Sequence, residues 1–352
     1  MQINESRLNA LLERMVGEFG ALASAPLVLL GDRLGLYKAM AGAGALTVDQ
    51  FSERTGLRLR YAQEWLNAQA ASGFVDYDPG AQTYALSPEA AMVLADDASP
   101  AFMVGGFEVL MSLFLDIDKV QKAFRDGSGL GWHEHHSSLF SGTERFFRAG
   151  YNANLAPNWI PALDGMSERL QAGARMADVG CGFGASTIVM AQAYPASTFV
   201  GYDFHEPSIA AARERAAAAG VADRVRFEVA GATRYPGRDF DLVAFFDCLH
   251  DMGDPVGAGR HVRETLKPDG IWMIVEPFAN DRLEDNLNPV GRIYYSASTM
   301  VCTPCSLSQD VGLALGAQAG ERRLGEVVRE AGFSRFRRAA QTPFNLVFEA
   351  RP

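Results

Sequence analysis

A histidine and several carboxylates follow apolar segments, at positions where they could move a proton. Asp247, His250 and Asp251 come directly after the apolar run 240–246, and Glu276 ends a second apolar run 276 − 250 = 26 residues after the histidine. A carboxylate that accepts from one imidazole nitrogen fixes the tautomer, which leaves the other nitrogen to take a proton from a bound hydroxyl. His250 is therefore a candidate for proton transfer. The alternative is a strand-end histidine that only caps the next helix.

Three closely spaced glycines form a second group, suited to binding a nucleotide-like ligand. Gly180, Gly182 and Gly184 lie between an apolar run and a helix-like segment, where glycine tolerates positive φ and lets backbone amides approach a ligand. Asp203 ends the next apolar run, 203 − 180 = 23 positions on, where it can accept from two ribose hydroxyls. The spacing is ambiguous, because Gly180-x-Gly182-x-x-Ala185 also fits the dinucleotide fingerprint of NAD enzymes.

The acid before the glycines favours one of these ligands. Asp178-x-Gly180-x-Gly182-x-Gly184 resembles the first motif of class I S-adenosylmethionine (SAM) methyltransferases. This resemblance implies that SAM is the cofactor and that Asp178 lies near its methionine ammonium. The other cofactor contacts that it implies are Cys181, Asp203, Phe204, Asp247 and the segment Gly231, Ala232 and Thr233 after the third strand.

The segment around the histidine adds the expected reaction. Leu249-His-Asp-Met-Gly-Asp254 resembles the L-H-D-W-x-D segment of small-molecule O-methyltransferases of plant and bacterial secondary metabolism, whose histidine deprotonates the acceptor hydroxyl. In this resemblance Glu276 flanks the base, and Glu321 of Gly320-Glu321-Arg322 supplies a second flanking carboxylate. Because a nearby sulfonium disfavours a charged imidazole, we expect His250 to be neutral at rest. Phe246 and Met252 depart from the pattern and leave C- or N-methylation open.

Residues 1–96 carry the pattern of a winged helix. An apolar helix is predicted over 26–40, a capped helix after Thr47, another helix over 58–72 and a wing around the Pro-Gly turn. Residues 20–96 contain five basic and eight acidic side chains, a net charge of −3, whereas a DNA-recognition helix needs several cations. These charges argue against a nucleic-acid partner. A winged-helix segment ahead of a SAM domain resembles the same O-methyltransferases, and this resemblance implies that the domain serves homodimerisation.

Residues 97–165 are predicted to be a helical linker or lid, which contains aromatic side chains. The predicted contacts of an aromatic acceptor are, in this segment, Trp132, Phe146, Phe147 and Tyr151 and, later in the chain, Tyr294 and Tyr295. Asp251, beside the histidine, is a further predicted substrate contact. His133-Glu-His-His136 and Cys302-x-x-Cys305 contain ligand residue types without zinc-site spacing, since zinc at the cysteines would need a second pair or histidines nearby. No metal is predicted.

Residues 166–352 alternate strand and helix patterns. Strands are predicted at 176–179, 198–203, 225–230, 240–246 and 271–276, and a closing antiparallel hairpin at 335–341 and 344–350. The predicted fold class is α/β, a Rossmann-like doubly wound class I methyltransferase sheet behind a mostly helical winged-helix domain.

Net charge and hydropathy argue against some functional classes. The net charge of −10 argues against nucleic acid or an anionic membrane as the main partner, and no run of 18 apolar residues occurs. We expect a cytoplasmic, dimeric SAM-dependent methyltransferase that acts on a hydroxyl of a small, aromatic metabolite. The alternatives are a SAM- or ligand-binding regulator that uses the winged helix, and a SAM-fold enzyme that methylates carbon or nitrogen or does not methylate.

Overall fold

The computed structural model describes residues 3–352, which form two compact units. The first unit is the chain up to Leu110 together with Ser141–Ala149, and the second is Met111–Phe140 with Gly150–Pro352. The predicted linker 97–165 is therefore divided between the units. The physical reason lies in two glycines that let helices approach closely: a Cβ on Gly105 or on Gly142 would lie 2.4 or 2.6 Å from the backbone of the facing helix.

The first unit is mostly helical, with one small hairpin, as predicted. Its elements are α1 (Glu5–Arg33), α2 (Leu36–Met40), α3 (Val48–Thr55), α4 (Leu59–Ala71), β1 (Asp76–Asp78), β2 (Thr83–Ala85), α5 (Pro88–Leu94) and the start of α6 (Val104–Leu115). The Thr47 hydroxyl and Gln50 side chain form a capping box on α3. Trp65 stacks on Phe51 at 5.7 Å between ring centroids and holds α3 against α4.

The helix predicted over 26–40 is wrong in its bounds. The helix begins at Glu5, ends at Arg33 and is separated from α2 by Gly35, whose φ of +68° lies in the left-handed region. The wing prediction is confirmed, since β1 and β2 pair antiparallel from Asp76↔Ala85 to Asp78↔Thr83.

Helix α1 is long and apolar enough, by length and composition alone, to cross a membrane, and it is the one such helix within residues 3–352. This helix contains no uninterrupted run of 18 apolar residues, because its apolar window includes charged residues, and it was therefore not identified from the sequence. Length and composition are weak evidence for a span. Only 17% of the window is buried inside the protein, so α1 exposes much apolar surface.

The second unit is an α/β domain around a seven-stranded sheet. Its elements are α7 (Ile117–Asp126), α8 (Ser138–Asn154, shared with the first unit), α9 (Met166–Ala172), β3 (Arg175–Val179), α10 (Ala185–Ala193), β4 (Thr198–Asp203), α11 (Glu206–Ala218), β5 (Val225–Val229), β6 (Phe240–Phe246), α12 (Pro255–Thr265), β7 (Leu266–Pro277), α13 (Pro289–Ala297), α14 (Thr303–Leu307), α15 (Gly320–Glu330), β8 (Arg335–Gln341) and β9 (Asn345–Arg351).

The strand order confirms the predicted doubly wound sheet. The order is β5-β4-β3-β6-β7-β9-β8, and only the pairs made by β9 are antiparallel. The chain starts in the middle at β3, runs outward to β5 and returns through β6, which places a topological switch point between β3 and β6. The carboxyl ends of these two strands carry Asp178 and Asp247, so the predicted acids meet at one edge of the sheet.

Candidate active site

The three glycines of the turn after β3 have different structural roles. All three have positive φ, at +76°, +51° and +79° for Gly180, Gly182 and Gly184. A Cβ on Gly180 would lie 2.7 Å from the Cys248 sulfur, and one on Gly184 would lie 2.5 Å from the ring of Phe227. A Cβ on Gly182 would meet nothing within 4 Å. Packing therefore requires two of the glycines, while Gly182 faces open space where a ligand could approach the backbone.

Asp178 is a buried carboxylate with one oxygen unused. Its Oδ2 accepts from the Ser186 and Thr187 hydroxyls at 2.6 Å each, and its Oδ1 has no hydrogen-bond partner. Burial raises the pKa of this carboxyl to about 6, despite the two hydroxyls that favour the charged form. A buried acceptor without a partner is costly, so Asp178 is suited to a ligand that brings a positively charged donor.

Asp203 ends the neighbouring strand β4 and is also buried. Its Oδ2 accepts from the Gly182 backbone amide and its Oδ1 from the His205 amide, both at 2.9 Å. This carboxylate therefore ties the glycine turn to the end of β4, and each oxygen keeps a lone pair for a ligand hydroxyl.

The remaining predicted cofactor contacts lie around this turn and the ends of the adjacent strands. Cys181 is buried and Phe204 is 51% exposed directly after Asp203. Gly231, Ala232 and Thr233 lie in the turn after β5, where the first two are half-buried and Thr233 is exposed. The β5 turn follows Ala230, whose amide donates to the Asp203 carbonyl.

His250 and Glu276 form the pair that the sequence predicted. The histidine lies in a short 3-10 turn after β6 and the glutamate near the end of β7, so the two adjacent parallel strands bring them together. His250 Nδ1 lies 2.6 Å from Glu276 Oε2, while Glu276 Oε1 accepts from the Leu249 amide at 3.0 Å. The side chains are 4% and 3% exposed. The glutamate is held by the backbone, so it fixes the imidazole orientation and leaves Nε2 to face the site.

The expected neutral resting state of His250 assumed a nearby sulfonium, and without that ligand the charges around the imidazole act in the opposite direction. Burial lowers the pKa of His250, but Glu276 and Asp251 more than reverse this, and the pKa lies well above its ordinary value. Asp251 Oδ1 lies 3.2 Å from Nε2, on the side opposite Glu276. The expectation of a neutral histidine took the sulfonium into account, but not an acid at Nε2.

Glu321 does not flank His250. It lies at the start of α15, where its carboxylate accepts from Nε of Arg338 at 2.8 Å on β8, and it is 35% exposed. The ion pair with Arg338 holds the Glu321 side chain on β8. Asp251 is the second carboxylate beside the histidine instead.

Asp247 is half-buried and linked to Tyr151, which was predicted only as a pocket residue, and to Asn345, which was not assigned a role. Its Oδ1 accepts from the Asn345 amide at 2.8 Å, and its Oδ2 accepts from the Tyr151 hydroxyl at 3.3 Å. Burial and the charge of Glu276 raise the pKa of Asp247 well above its usual range. Asn345 starts β9, which pairs with β7, so only the antiparallel end of the sheet could bring it here.

The predicted aromatic contacts of the acceptor lie on separate elements of the chain. Trp132 lies in a 3-10 turn with its ring 5.3 Å from that of Phe140, and Tyr295 is half-buried on α13. Phe147 belongs to the first unit, where its ring meets Phe146 at 5.2 Å. Tyr294, the residue before Tyr295 on α13, is buried, and its burial and the charge of Asp247 raise its pKa.

The sequence predicted roles for His250 and Asp251 singly, but neither their cluster with Cys302 nor a role for His135. His250 Nε2, the Asp251 carboxylate and the Cys302 sulfur all lie within 4.8 Å of one another. His135 is buried with its Nδ1 3.1 Å from Asp116 Oδ2, and its Nε2 has no hydrogen-bond partner. The ligand residue types were visible in the sequence, but their proximity required the tertiary structure.

Comparison with protein families gives two separate matches along the chain. Residues 170–332 match the family described as "Methyltransferase domain", and residues 22–96 match the "Rv2258c-like winged HTH domain". The first match covers the sheet from α9 to the end of α15, and the second covers the winged helix.

Curated relatives match only over part of their length. The chain is 39% identical over 103 residues to 27-O-demethylrifamycin SV methyltransferase of Amycolatopsis mediterranei, covering 29% of this chain and 38% of that one. It is 33% identical over 149 residues to phosphoethanolamine N-methyltransferase 3 of Arabidopsis thaliana, covering 41% and 29%. The chain thus spans less than half the length of these relatives.

Solved structures match over nearly the whole chain at low identity. Human N-acetylserotonin methyltransferase in complex with SAM superposes with a TM-score of 0.71 at 16% identity, covering 100% of this chain and 99% of that one. An O-methyltransferase family protein from Burkholderia thailandensis gives a TM-score of 0.67 at 17% identity, with 100% and 99% covered. At this identity the likeness shows the fold.

Proposed function

Because the chain carries a class I methyltransferase domain behind an Rv2258c-like winged-helix domain, we propose that it transfers a methyl group from SAM to a hydroxyl of a small, aromatic metabolite. The observation that carries this proposal is the row of buried acids along one edge of the sheet. Asp178 lies on β3 and Asp203 ends β4, while Glu276 lies on β7 and His250 follows β6.

The acids of this row fit the charge of the proposed cofactor. SAM brings an electrophilic methyl group on a cationic sulfur, together with a positively charged ammonium. The unused Oδ1 of Asp178 would accept from that ammonium, and Asp203 would accept from the ribose hydroxyls. Gly182 leaves the space in which the ligand meets the turn. A pyrophosphate would instead place negative charge beside two buried carboxylates, which disfavours a dinucleotide.

His250 would remove the proton of the acceptor hydroxyl. The imidazole has to lose its resting proton first, and a cationic ligand beside Asp178 favours this loss because like charges lower its pKa. Nε2 then accepts the hydroxyl proton, and Glu276 stabilises the imidazolium through Nδ1. Methyl transfer is an in-line displacement, so the enzyme accelerates it mainly by aligning the acceptor oxygen with the methyl group.

The first unit supports a proposal about assembly. Helix α1 exposes a series of apolar side chains, between 39% and 70% exposed, which are Leu8, Leu11, Leu12, Met15, Val16, Phe19 and Leu22. A continuous apolar surface of this kind marks a protein contact. We assign it to homodimerisation of a cytoplasmic enzyme. The net charge of −3 over residues 20–96 argues against the alternative of a DNA-binding regulator.

Ligand-induced thermal stabilisation tests the cofactor. A ligand at about 100 times its dissociation constant adds about 2.7 kcal/mol, which raises Tm by several degrees. We expect stabilisation by SAM and S-adenosylhomocysteine and none by NADH. Stabilisation by NADH alone would contradict the proposal. Asp203→Ala should abolish the SAM shift at the same ligand concentration.

Turnover with a panel of phenolic acceptors tests the hydroxyl chemistry. His250→Ala should leave the SAM-induced shift intact and reduce kcat at least tenfold, because it removes only the base. Full activity of this variant would exclude proton abstraction by His250. Methylation of amines with no phenol turned over would favour N-methylation instead.

A further inference from the structure

Three side chains of different chemistry converge beside the proposed base. His250 and Asp251 come from the 3-10 turn after β6, and Cys302 from a π-helical turn after α13. Their ligand atoms lie within 4.8 Å of one another, and Cys302 is buried. We propose that His250 Nε2, the Asp251 carboxylate and the Cys302 sulfur bind a divalent metal of the zinc class, which blocks methyl transfer by occupying the base. The second half of this proposal rests on the proposed function.

The donor set matches a borderline metal. Zinc binds imidazole nitrogen, carboxylate oxygen and thiolate sulfur at about 2.0–2.3 Å, so two ligands of a tetrahedral site are separated by roughly 3.4 Å. His250 Nε2 and Asp251 Oδ1 are already 3.2 Å apart. Magnesium and calcium prefer oxygen ligands only, which excludes them at a site containing sulfur.

The surroundings of His250 are those of a metal-binding histidine. Metal-bound imidazoles almost always donate the other ring nitrogen to a carboxylate or carbonyl, and His250 Nδ1 lies 2.6 Å from Glu276. Asp251 Oδ1, close as it is to Nε2, makes no hydrogen bond and is buried. Within residues 3–352 no lysine or arginine forms an ion pair with Asp251 or Glu276. A divalent cation would take the place of the protons on His250 Nε2 and on the Cys302 thiol, which are released on binding.

A second histidine shows the same arrangement near the site. His135 has its Nδ1 against Asp116, a side chain only 1% exposed and an Nε2 without a hydrogen-bond partner. The charge of Asp251 acts on His135, so the two groups are within electrostatic range. A water would complete a tetrahedral set, with His135 close enough to feel the charge of the site.

Metal binding and proton abstraction exclude each other at Nε2. The lone pair that binds the metal is the one that would take the acceptor proton. A metal at this site therefore inhibits turnover, and a chelator restores it.

Cobalt(II) is the probe for binding, because a cobalt–thiolate bond produces a charge-transfer band in the near ultraviolet. Chelator-treated full-length enzyme should give this band with one equivalent of Co²⁺. Cys302→Ser should abolish it, whereas the matched variant Cys305→Ser should keep it, since Cys305 is a buried thiol outside the group. Absence of the band in the wild type, or its equal loss in both variants, would overturn the metal site.

Zinc titration of methyl transfer separates this inference from the proposed function. We expect inhibition that EDTA reverses in the wild type and in Cys305→Ser, with at least a tenfold higher zinc concentration needed for Cys302→Ser. Stimulation by zinc would overturn the inhibitory role. A cobalt band in a protein that binds no SAM would leave the metal site standing while the proposed function fails.

Discussion

Replacing Asp178 with asparagine should stabilise the protein without ligand and weaken SAM binding. The pKa of this carboxyl is raised from 3.8 to about 6, so the folded protein binds the proton more tightly than the unfolded chain. A shift of this size corresponds to about 3 kcal/mol of destabilisation at pH 7, at about 1.4 kcal/mol for each pKa unit. Asparagine keeps the oxygen that accepts from Ser186 and Thr187 and removes the charge.

The net gain is smaller than this figure, because the new amide group is buried where Oδ1 has no partner. An unsatisfied buried donor costs about 1–3 kcal/mol, which leaves a gain of about 1 kcal/mol and a rise in Tm of a few degrees. Loss of a charge-assisted hydrogen bond to an ammonium costs about 1.5–3 kcal/mol, so the Kd for SAM should rise roughly tenfold to a hundredfold.

The pH dependence identifies the cause. A carboxyl whose folded pKa is raised destabilises the fold fully above that pKa, and the effect fades as the pH falls from 6 toward 4. Thermal scans without ligand should therefore show the gain of Asp178→Asn at pH 8 and a smaller gain at pH 5. Asp223→Asn, at an acid that is 75% exposed, is the control and should change neither Tm nor Kd. A variant that is no more stable at pH 8 and binds SAM with unchanged Kd would refute the reasoning.

Three further predictions concern other parts of the chain. Glu276→Gln should lower kcat about 10²-fold at unchanged SAM affinity in turnover and calorimetric assays, whereas Glu321→Gln, away from His250, should change kcat less than twofold. Gly184→Ala should cost about 3 kcal/mol in chemical denaturation, because its Cβ would overlap a neighbouring ring at positive φ, and a loss below 1 kcal/mol would contradict that geometry. Phe19→Glu, on the exposed face of α1, should convert the proposed dimer to monomers in light scattering, and a monomeric wild type would remove that assignment.

Local patterns were sufficient to predict the fold of each unit. Alternating apolar runs and glycine turns located the seven strands of the sheet within a few residues, and the central strands β3, β4 and β6 are buried over most of their length. The capping box at Thr47 located α3 for a similarly local reason. The prediction began the first helix at residue 26 and so omitted residues 5–25 of α1, although their apolar side chains at 8, 11, 12, 15, 16, 19 and 22 recur at helical spacing.

Within the candidate site, sequence determined what lies on adjacent strands. His250 and Glu276 meet because β6 and β7 are consecutive parallel strands, and the carboxyl ends of such strands share an edge. Glu321 was misplaced because its neighbour Arg338 is on another element, and no spacing encodes that ion pair.

The sequence by itself predicted the glycine turn after β3 and the candidate base, since both depend on residues a few positions apart along one strand-turn segment. Only the tertiary structure brought Asp251 and Cys302 to the candidate base. Asp251 and Cys302 are 302 − 251 = 51 residues apart. Their contact arises from a turn after α13 folding back onto the end of β6, and such long-range packing leaves no periodic signal in the chain.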